Sequence, residues 1–530
     1  MEYNMMQDYR DRDNERFCAA IMVTDADTLK ELSDDFILPD YLPDVKKVVH
    51  VKACARLGNR FLGSGVLEFE GAVAYKVLYI AEDNKVRCAA FLSEFKNKLS
   101  CEQLGEDCVD VLHPVTRDVN CRMQNPRKLN IRSKAGVEGA VWRRECFLPE
   151  LYGARAGEEK KIETMQISLD AMGVTNQRQN GFVYTEDVTL ESSMPAIGEI
   201  ICSNACIYVD ECRMSGSELL LRGICDFEIL YSVTVEEGED YILLRRTLPY
   251  SESVEAGGIK EGCTCMATVL PEGVAVNVRE DEFGKRRMIE LDINYGLDIL
   301  ALHPQKMYYC ADCYSTAREC IVNTQKQKIW HLCPGNHFSF SVNETRTLKE
   351  IEASGMREVK SCTVDAIMTL SEQRSAKNHP VFEGNAKVKV LGVWEDGRFG
   401  CACLDLPLRF ECDKPLDESE LRQMIDCRCM GARCRVDNDK MYVDFEVIVN
   451  ALIMGSAEAD AIKVIRMTND VLVEQDRAAV ATLYFVQSNE TIFDIAKKYK
   501  VARDSLMERN GIENEANLVG HPLLIPNRKS

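Results

Sequence analysis

The chain has 530 residues, of which 46% are hydrophobic, and a formal net charge of -20. That length allows three to five domains, and the apolar content excludes disorder of the whole chain. The acidity excludes nucleic acid as a partner, because phosphate binding needs clustered Lys and Arg. No apolar run of 18 residues or more offers a direct membrane span.

Residues 1–14 read as a polar N-terminal segment without the basic and apolar regions of a secretory signal, so a cytoplasmic protein is expected. The 24 cysteines are then expected to be reduced thiols that pack as small hydrophobes. Cys225 lies in one such strand, and Cys401 and Cys403 fall on one face of another. The tail from residue 480 onward is nearly neutral, so the acidity belongs to the first 479 residues, where it serves solubility.

Three segments share one pattern. Leu67 to Tyr79, Leu219 to Tyr231 and Phe382 to Gly392 each carry a charged residue, then Gly71, Gly223 or Gly384, then strict alternation. Leu219, Leu221, Cys225, Phe227, Ile229 and Tyr231 fall on one face of the second segment. Phe382, Ala386, Val388 and Val390 do so in the third. Period two over this length predicts half-buried antiparallel strands, and the glycine within each predicts a bulge or a close backbone approach. An acidic turn follows each strand, at Glu82 to Lys85, Glu236 to Glu239 and Glu395 to Arg398, and Asp396-Gly397 is a hairpin signal. A second strand comes next, and a later alternating strand runs from Leu129 to Val141, Ile289 to Leu302 and Met441 to Ile453. An alternating strand also precedes each segment, at Arg16 to Val23, Gly181 to Leu190 and His337 to Leu348. The repeat predicts three β-rich domains at 15–145, 178–304 and 336–456. Between them lie a connector at 146–177, expected to be polar and to hold a helix or loop, and a connector at 305–335. The linker at 457–478 is expected to be extended or weakly helical.

Residues 480–527 predict a small α+β domain in the order βααβ. Ala481 to Val486 is rich in β formers. Ile492, Ile495, Ala496 and Tyr499 recur at helical spacing. Arg503 to Asn510 predicts a second helix stopped by Gly511, and Leu523 to Ile525 a closing strand.

Catalytic signatures are missing. No His-Glu-x-x-His, no phosphate-binding glycine loop and no Gly-x-Ser-x-Gly elbow occurs, and the seven histidines are scattered. The expectation is a non-enzyme with no catalytic residues, no cofactor and no metal. Cys310 and Cys313, with Cys320, His331 and Cys333 nearby, form the one candidate zinc set, and their spacing matches no common finger.

The run Ile37-Leu38-Pro39-Asp40-Tyr41-Leu42-Pro43-Asp44, the glycine strands ending in Val77-Leu78-Tyr79 or Ile229-Leu230-Tyr231, and Asp312-Cys313-Tyr314-Ser315-Thr316 resemble the SPOCS domain of spore-coat assembly proteins. The third unit has Leu391-Gly392 where the others have Leu-Tyr. The stretch Tyr484-Phe485-Val486, Thr491-Ile492, Ile495-Ala496, Tyr499, Asn510 and Leu523-Leu524-Ile525-Pro526 resembles the LysM family. The family's Gly-Asp-Thr is replaced by Asn489-Glu490-Thr491, and Asn tolerates the positive φ such a turn needs. The LysM resemblance implies a shallow binding groove lined by Gln487, Ser488, Asn489, Glu490, Thr491, Ile512, Val519, Gly520, His521 and Pro522. His521 reads as a surface residue.

Three SPOCS-like units ahead of a LysM domain are similar to the arrangement of the SipL-type, SpoIVA-interacting family of spore coat morphogenetic proteins. This resemblance implies a non-enzymatic adaptor in spore coat assembly, at the forespore surface in the mother-cell cytoplasm. The LysM domain would dock to a SpoIVA-like ATPase and the β-domains would contact other coat proteins. The alternative is a cell-wall protein that binds peptidoglycan, an N-acetylglucosamine polymer, through the LysM groove.

Overall fold

The computed structural model describes residues 15–235, 238–333, 337–371, 373–375, 379–412, 420–471, 481–514 and 518–526. The polar segment 1–14, the Glu236-Glu237 part of the second acidic turn and residues 472–478 of the linker lie outside the described residues. The fold is mainly β, and among the described residues the two short α-helices both lie in the C-terminal α+β domain.

The first unit contains β1 (Cys18–Asp25), β2 (Thr28–Ile37), β3 (Val45–Gly63), β4 (Val66–Ala81), β5 (Val86–Ser100), β6 (Cys108–Asn125) and β7 (Lys128–Cys146). One sheet has the order β3-β4-β5. In the other, β7 pairs with β6 along one edge and with β1 and β2 along the other. After a short β8 (Glu150–Tyr152), the second unit repeats the plan with β9 (Ile162–Thr189), β10 (Ile200–Ser215), β11 (Glu218–Val235), β12 (Gly238–Glu255), β13 (Thr264–Glu280) and β14 (Arg286–Ser315). Its sheets are β10-β11-β12 and β13-β14-β9. The third unit has β15 (Arg318–Leu332), β16 (His337–Thr347), β17 (Met356–Leu370), β18 (Val381–Trp394), β19 (Phe399–Glu411), β20 (Leu421–Asp437) and β21 (Lys440–Val471). There β17-β18-β19 form one sheet. In the other, β21 is flanked by β20 and by β15 with β16, and β8 adds in parallel. Each unit is therefore a sandwich whose two sheets close over one core.

The alternating residues make that core. Leu219, Leu221, Cys225, Phe227, Ile229 and Tyr231 of β11 are at most 1% exposed, as are Phe382, Ala386, Val388 and Val390 of β18. Burying an aliphatic or aromatic side chain of this size contributes about 1.5–3 kcal/mol, so the middle strand is a main source of each unit's stability. The glycines sit where the neighbouring strand comes close. A Cβ on Gly223 would lie 1.9 Å from the Tyr208 carbonyl oxygen, and one on Gly384 2.0 Å from that of Ile367. On β4, a Cβ on Gly71 would meet Arg56 O and the Phe95 ring at 2.5 Å.

The tyrosine that follows the glycine also has a structural task. Tyr79 donates its hydroxyl to the Pro43 carbonyl at 3.1 Å, and Tyr231 to that of Pro195 at 3.4 Å. Each bond holds the loop leading into the second sheet. The third unit has Gly392 instead, and its corresponding loop 348–355 contains no proline. In the first unit Arg127 adds a clamp. Its guanidinium reaches the carbonyls of Leu38, Pro39 and Leu42 at 3.0, 3.1 and 2.6 Å and the Asp44 carboxylate at 3.1 Å.

Much of the sequence expected as connector is strand. Residues 162–172 of β9 pair with the end of β14, from Ile162 with Ser315 to Met172 with Pro304. Residues 147–149 and the loop 153–161, which ends in a 3-10 turn at Glu159–Lys161, match the expected helix or loop. The end of β14 and strand β15 together occupy most of the second connector, and β15 pairs with residues 454–471 of β21, which run through the described part of the linker. Most residues facing solvent on these ribbons are polar, Ile167, Ile321 and Val322 excepted, which masks their period in composition.

The ribbons bring the three units together. One apolar cluster combines Ala20, Met172 and Trp330 from the first strands, Val111 and Met424 from β6 and β20, and Trp142, Leu300, Leu302, Leu452 and Met454 from the last. Trp142 and Trp330 meet edge to face with centroids 6.1 Å apart. A second cluster joins Leu78, Val86, Ile201, Leu230, Tyr241 and Phe399 across the second sheets of the three units. Between these contacts lies a cavity of about 2080 Å³, lined by β3, β6, β10, β13, β17 and β20. Equivalent strands of all three units thus face one space.

Candidate functional site

The C-terminal domain contains β22 (Ala481–Phe485), α1 (Ile492–Tyr499), α2 (Arg503–Arg509) and β23 (Pro522–Pro526), with β22 and β23 antiparallel. Ile492, Ile495 and Ala496 are buried on one face of α1, and Leu506, Leu523 and Ile525 close over them. Gly511 ends α2 with a φ of 61°. Its amide donates to Glu508 O at 3.2 Å and that of Ile512 to Met507 O at 3.0 Å, which satisfies the last helical carbonyls. Asn510 ties α2 to β23. Its side-chain amide donates to Leu506 O at 2.7 Å and Leu524 O at 3.0 Å, and its oxygen accepts from Leu524 N at 2.6 Å.

The expected groove residues come together as two loops. Val486 donates to His521 O at 3.1 Å and accepts from Gly520 N at 2.9 Å, so the loop 487–491 and the loop 518–522 are laced side by side. Asn489 takes the left-handed conformation, with φ 70°, that the family's glycine would take. Glu490 braces the turn from inside. It accepts from Gln487 N at 3.0 Å and from the Tyr484 hydroxyl at 2.8 Å, and this bond raises the Tyr484 pKa. Thr491 caps α1 reciprocally. Its hydroxyl accepts from Asp494 N at 3.1 Å while Asp494 accepts from Thr491 N at 2.9 Å. Gln487, Ser488, Asn489, Thr491, Val519, Gly520, His521 and Pro522 are exposed, whereas Ile512 is half-buried against the domain core.

Two features escaped the sequence reading. The first is an apolar outer face on the small sheet. Leu483 and Leu524 are cross-strand partners, 59% and 48% exposed, Phe485 two residues along is 53% exposed, and Val519 in the loop before β23 is 64% exposed. Alternation in Leu483, Phe485 and Leu524 signals this face, but a pattern that is apolar on both faces does not say which one stays open. The second is a dock. Tyr314, at the end of β14, is fully buried within the C-terminal domain's own core. Its ring meets Phe493 edge to face at 5.2 Å, and its hydroxyl donates to Val501 O at 2.7 Å. Lys497 reaches both Asp312 carboxylate oxygens, at 2.7 and 2.5 Å, and Lys500 pairs with Glu319 at 3.2 Å. One face of α1 is thereby held against the β-units, and the loops 487–491 and 518–522 remain exposed.

The candidate zinc set is not assembled. Cys310, Cys313 and Cys320 share one cluster while Cys333 packs in the core of the third unit. Among the described residues no group of three or more His, Cys, Asp or Glu side chains has a metal-holding arrangement. No helix of the described residues is long and apolar enough to cross a membrane.

The cavity between the units carries its own charges. Arg178 bridges Asp110 at 2.8 Å and Asp298 at 3.0 Å, and Arg60 pairs with Asp110 at 3.0 Å, tying the first unit to the second. His113 lies beside them, and burial pushes its pKa down, so the ring stays neutral. Every arginine in this network has a carboxylate partner, so the network serves cohesion between units.

A family model described as SipL, SPOCS domain matches residues 196–279, and a LysM domain model matches residues 484–526. Both matches are to non-catalytic binding domains. Comparison with curated proteins and with solved structures returned no match.

Proposed function

We propose that this chain, which carries a SipL SPOCS domain and a C-terminal LysM domain, is a non-enzymatic adaptor of spore coat assembly at the forespore surface. In this reading the LysM domain docks to a SpoIVA-like ATPase and the β-units contact other coat proteins. The observation that carries it is the fixed presentation of the LysM domain. Tyr314 and the Asp312–Lys497 pair hold one face of α1, while the laced loops and the apolar residues Leu483, Phe485, Val519 and Leu524 stay open. A partner protein gains most from such a rigid, partly apolar surface, because little ordering entropy remains to be lost on binding.

The test uses the full-length chain immobilised and challenged with purified SpoIVA-type ATPase. Val519→Asp combined with His521→Asp places two charges on the open loops without touching the core. Retention by the wild type and its loss in the double variant is the expected result. Equal retention by both refutes docking through this surface.

The glycan reading has its own support in the left-handed Asn489, which preserves the family's turn despite the lost glycine. Sedimentation with purified peptidoglycan decides it. Saturable retention that the same double variant abolishes would favour a wall-binding role.

A further inference from the structure

None of the 24 cysteines is in a disulfide; beside a three-thiol cluster of Cys310, Cys313 and Cys320, eight others meet in pairs at places where two strands or two units join. Cys18 and Cys146 are direct register partners on β1 and β7. Opposed residues of an antiparallel pair have Cα atoms about 4.5–5.5 Å apart, inside the roughly 4.4–6.8 Å span of disulfides. Cys88 on β5 and Cys202 on β10 pack together across the seam between the first and second units, against the same small apolar cluster of Leu78, Ile201 and Tyr241. Cys212 and Cys265 meet in the core of the second unit between β10 and β13, the facing edge strands of its two sheets. Cys362 and Cys434 do the same between β17 and β20, the equivalent strands of the third unit. The last two pairs thus close the same edge of two successive sandwiches. Cys401 and Cys403, with sulfurs 4.0 Å apart, are a different case. They are two residues apart on one strand, with Cα atoms about 6.6 Å apart and side chains side by side, which leaves little room to turn the sulfurs into a bond.

We propose that Cys18–Cys146, Cys88–Cys202, Cys212–Cys265 and Cys362–Cys434 are disulfide-forming sites that a small peroxide closes, stapling the sandwiches and the seam between the first two units. The chemistry suits the pairs. In each, the neighbouring thiol holds its partner in the more acidic state: Cys146 at about 6, Cys202 at about 7, and Cys265 and Cys362 below the ordinary thiol value. The thiolate attacks one peroxide oxygen, the O–O bond breaks, and the departing hydroxide becomes water. The resulting sulfenic acid is then attacked by the partner sulfur, which gives up its proton. The S–S bond forms and the sulfenic hydroxyl leaves as a second water. Each pair is oxidised by two electrons and one peroxide is reduced to two waters. The acidified thiol belongs to a half-buried residue in three pairs, at Cys146, Cys202 and Cys265, which a molecule as small as hydrogen peroxide can reach; in the fourth, Cys362 is buried and peroxide enters beside its half-buried partner Cys434.

The test takes the full-length protein, freshly reduced, through a hydrogen peroxide titration. Remaining thiols are then alkylated, and the protein is digested without reduction for mass spectrometry. Four crosslinked peptide pairs, each lighter by two hydrogens and each reversed by dithiothreitol, are expected before other linkages accumulate. The oxidised protein should unfold at a higher denaturant concentration than the reduced one. Cys202→Ser should remove the Cys88–Cys202 crosslink and leave the other three. Crosslinks among other cysteines, or sulfinic and sulfonic acids at these eight positions without crosslinks, would overturn the proposal.

Discussion

Replacing Tyr314 with Ala should release the C-terminal domain from the β-units. The side chain is fully buried, its ring packs at 5.2 Å on Phe493 and its hydroxyl bonds Val501 O at 2.7 Å. Truncating a buried aromatic to Ala costs about 3–5 kcal/mol, and the lost hydrogen bond accounts for about 1 kcal/mol of that. The remaining Asp312–Lys497 and Lys500–Glu319 pairs are partly exposed and contribute about 0–1 kcal/mol each. They cannot replace the ring. The undocked population should rise roughly a hundredfold or more, since each 1.4 kcal/mol is about a factor of ten. Hydrogen–deuterium exchange reads this directly: amides of residues 308–315 and of α1 should lose protection, and small-angle scattering should report a more extended particle. Tyr314→Phe keeps the ring and should lose only about 1 kcal/mol, with exchange close to wild type. Unchanged protection in Tyr314→Ala would refute the dock as the element that orients the domain.

Gly223→Ala should destabilise the second unit by about 3 kcal/mol or more, because its methyl would sit 1.9 Å from a backbone oxygen that cannot move alone. Gly173→Ala, whose methyl would meet nothing closer than 3.7 Å, should be nearly neutral in the same denaturant titration. Burial and the nearby Lys389 hold the His50 pKa at about 3, below its ordinary value, so folding favours the neutral ring. That stability is present above the unfolded value near 6.5 and is lost as pH falls toward 3. The wild type should therefore lose about 1–2 kcal/mol between pH 6.5 and 5, allowing for partial exposure, and His50→Gln should flatten this slope. Arg127→Ala strips three carbonyls and the Asp44 carboxylate of their shared partner and should cost about 2 kcal/mol, with faster exchange confined to residues 38–44. Arg127→Lys should recover little of it, since an ammonium lacks the planar fork.

The amino-acid order alone determined the local structure of this protein. Alternation along 219–231 and 382–390 specified which side chains enter a core. The glycine within each strand marked a close approach that proved to be a carbonyl at 1.9–2.5 Å. Helical spacing from Ile492 to Tyr499 and the stop at Gly511 outlined the C-terminal domain, because caps, periods and turns act within a few residues. The tertiary structure decided what those local rules cannot reach. Residues 162–172 and 318–332 look like connectors, the first of them polar, and they became strands because partners more than a hundred residues away supplied their hydrogen bonds. Pairing of this kind leaves only a faint trace in a ribbon whose outer face is solvated. The same holds for the site. Asn489, Glu490 and Thr491 announced a LysM turn, but only the dock between Tyr314 and Phe493 decided which face of that domain remains open to a partner.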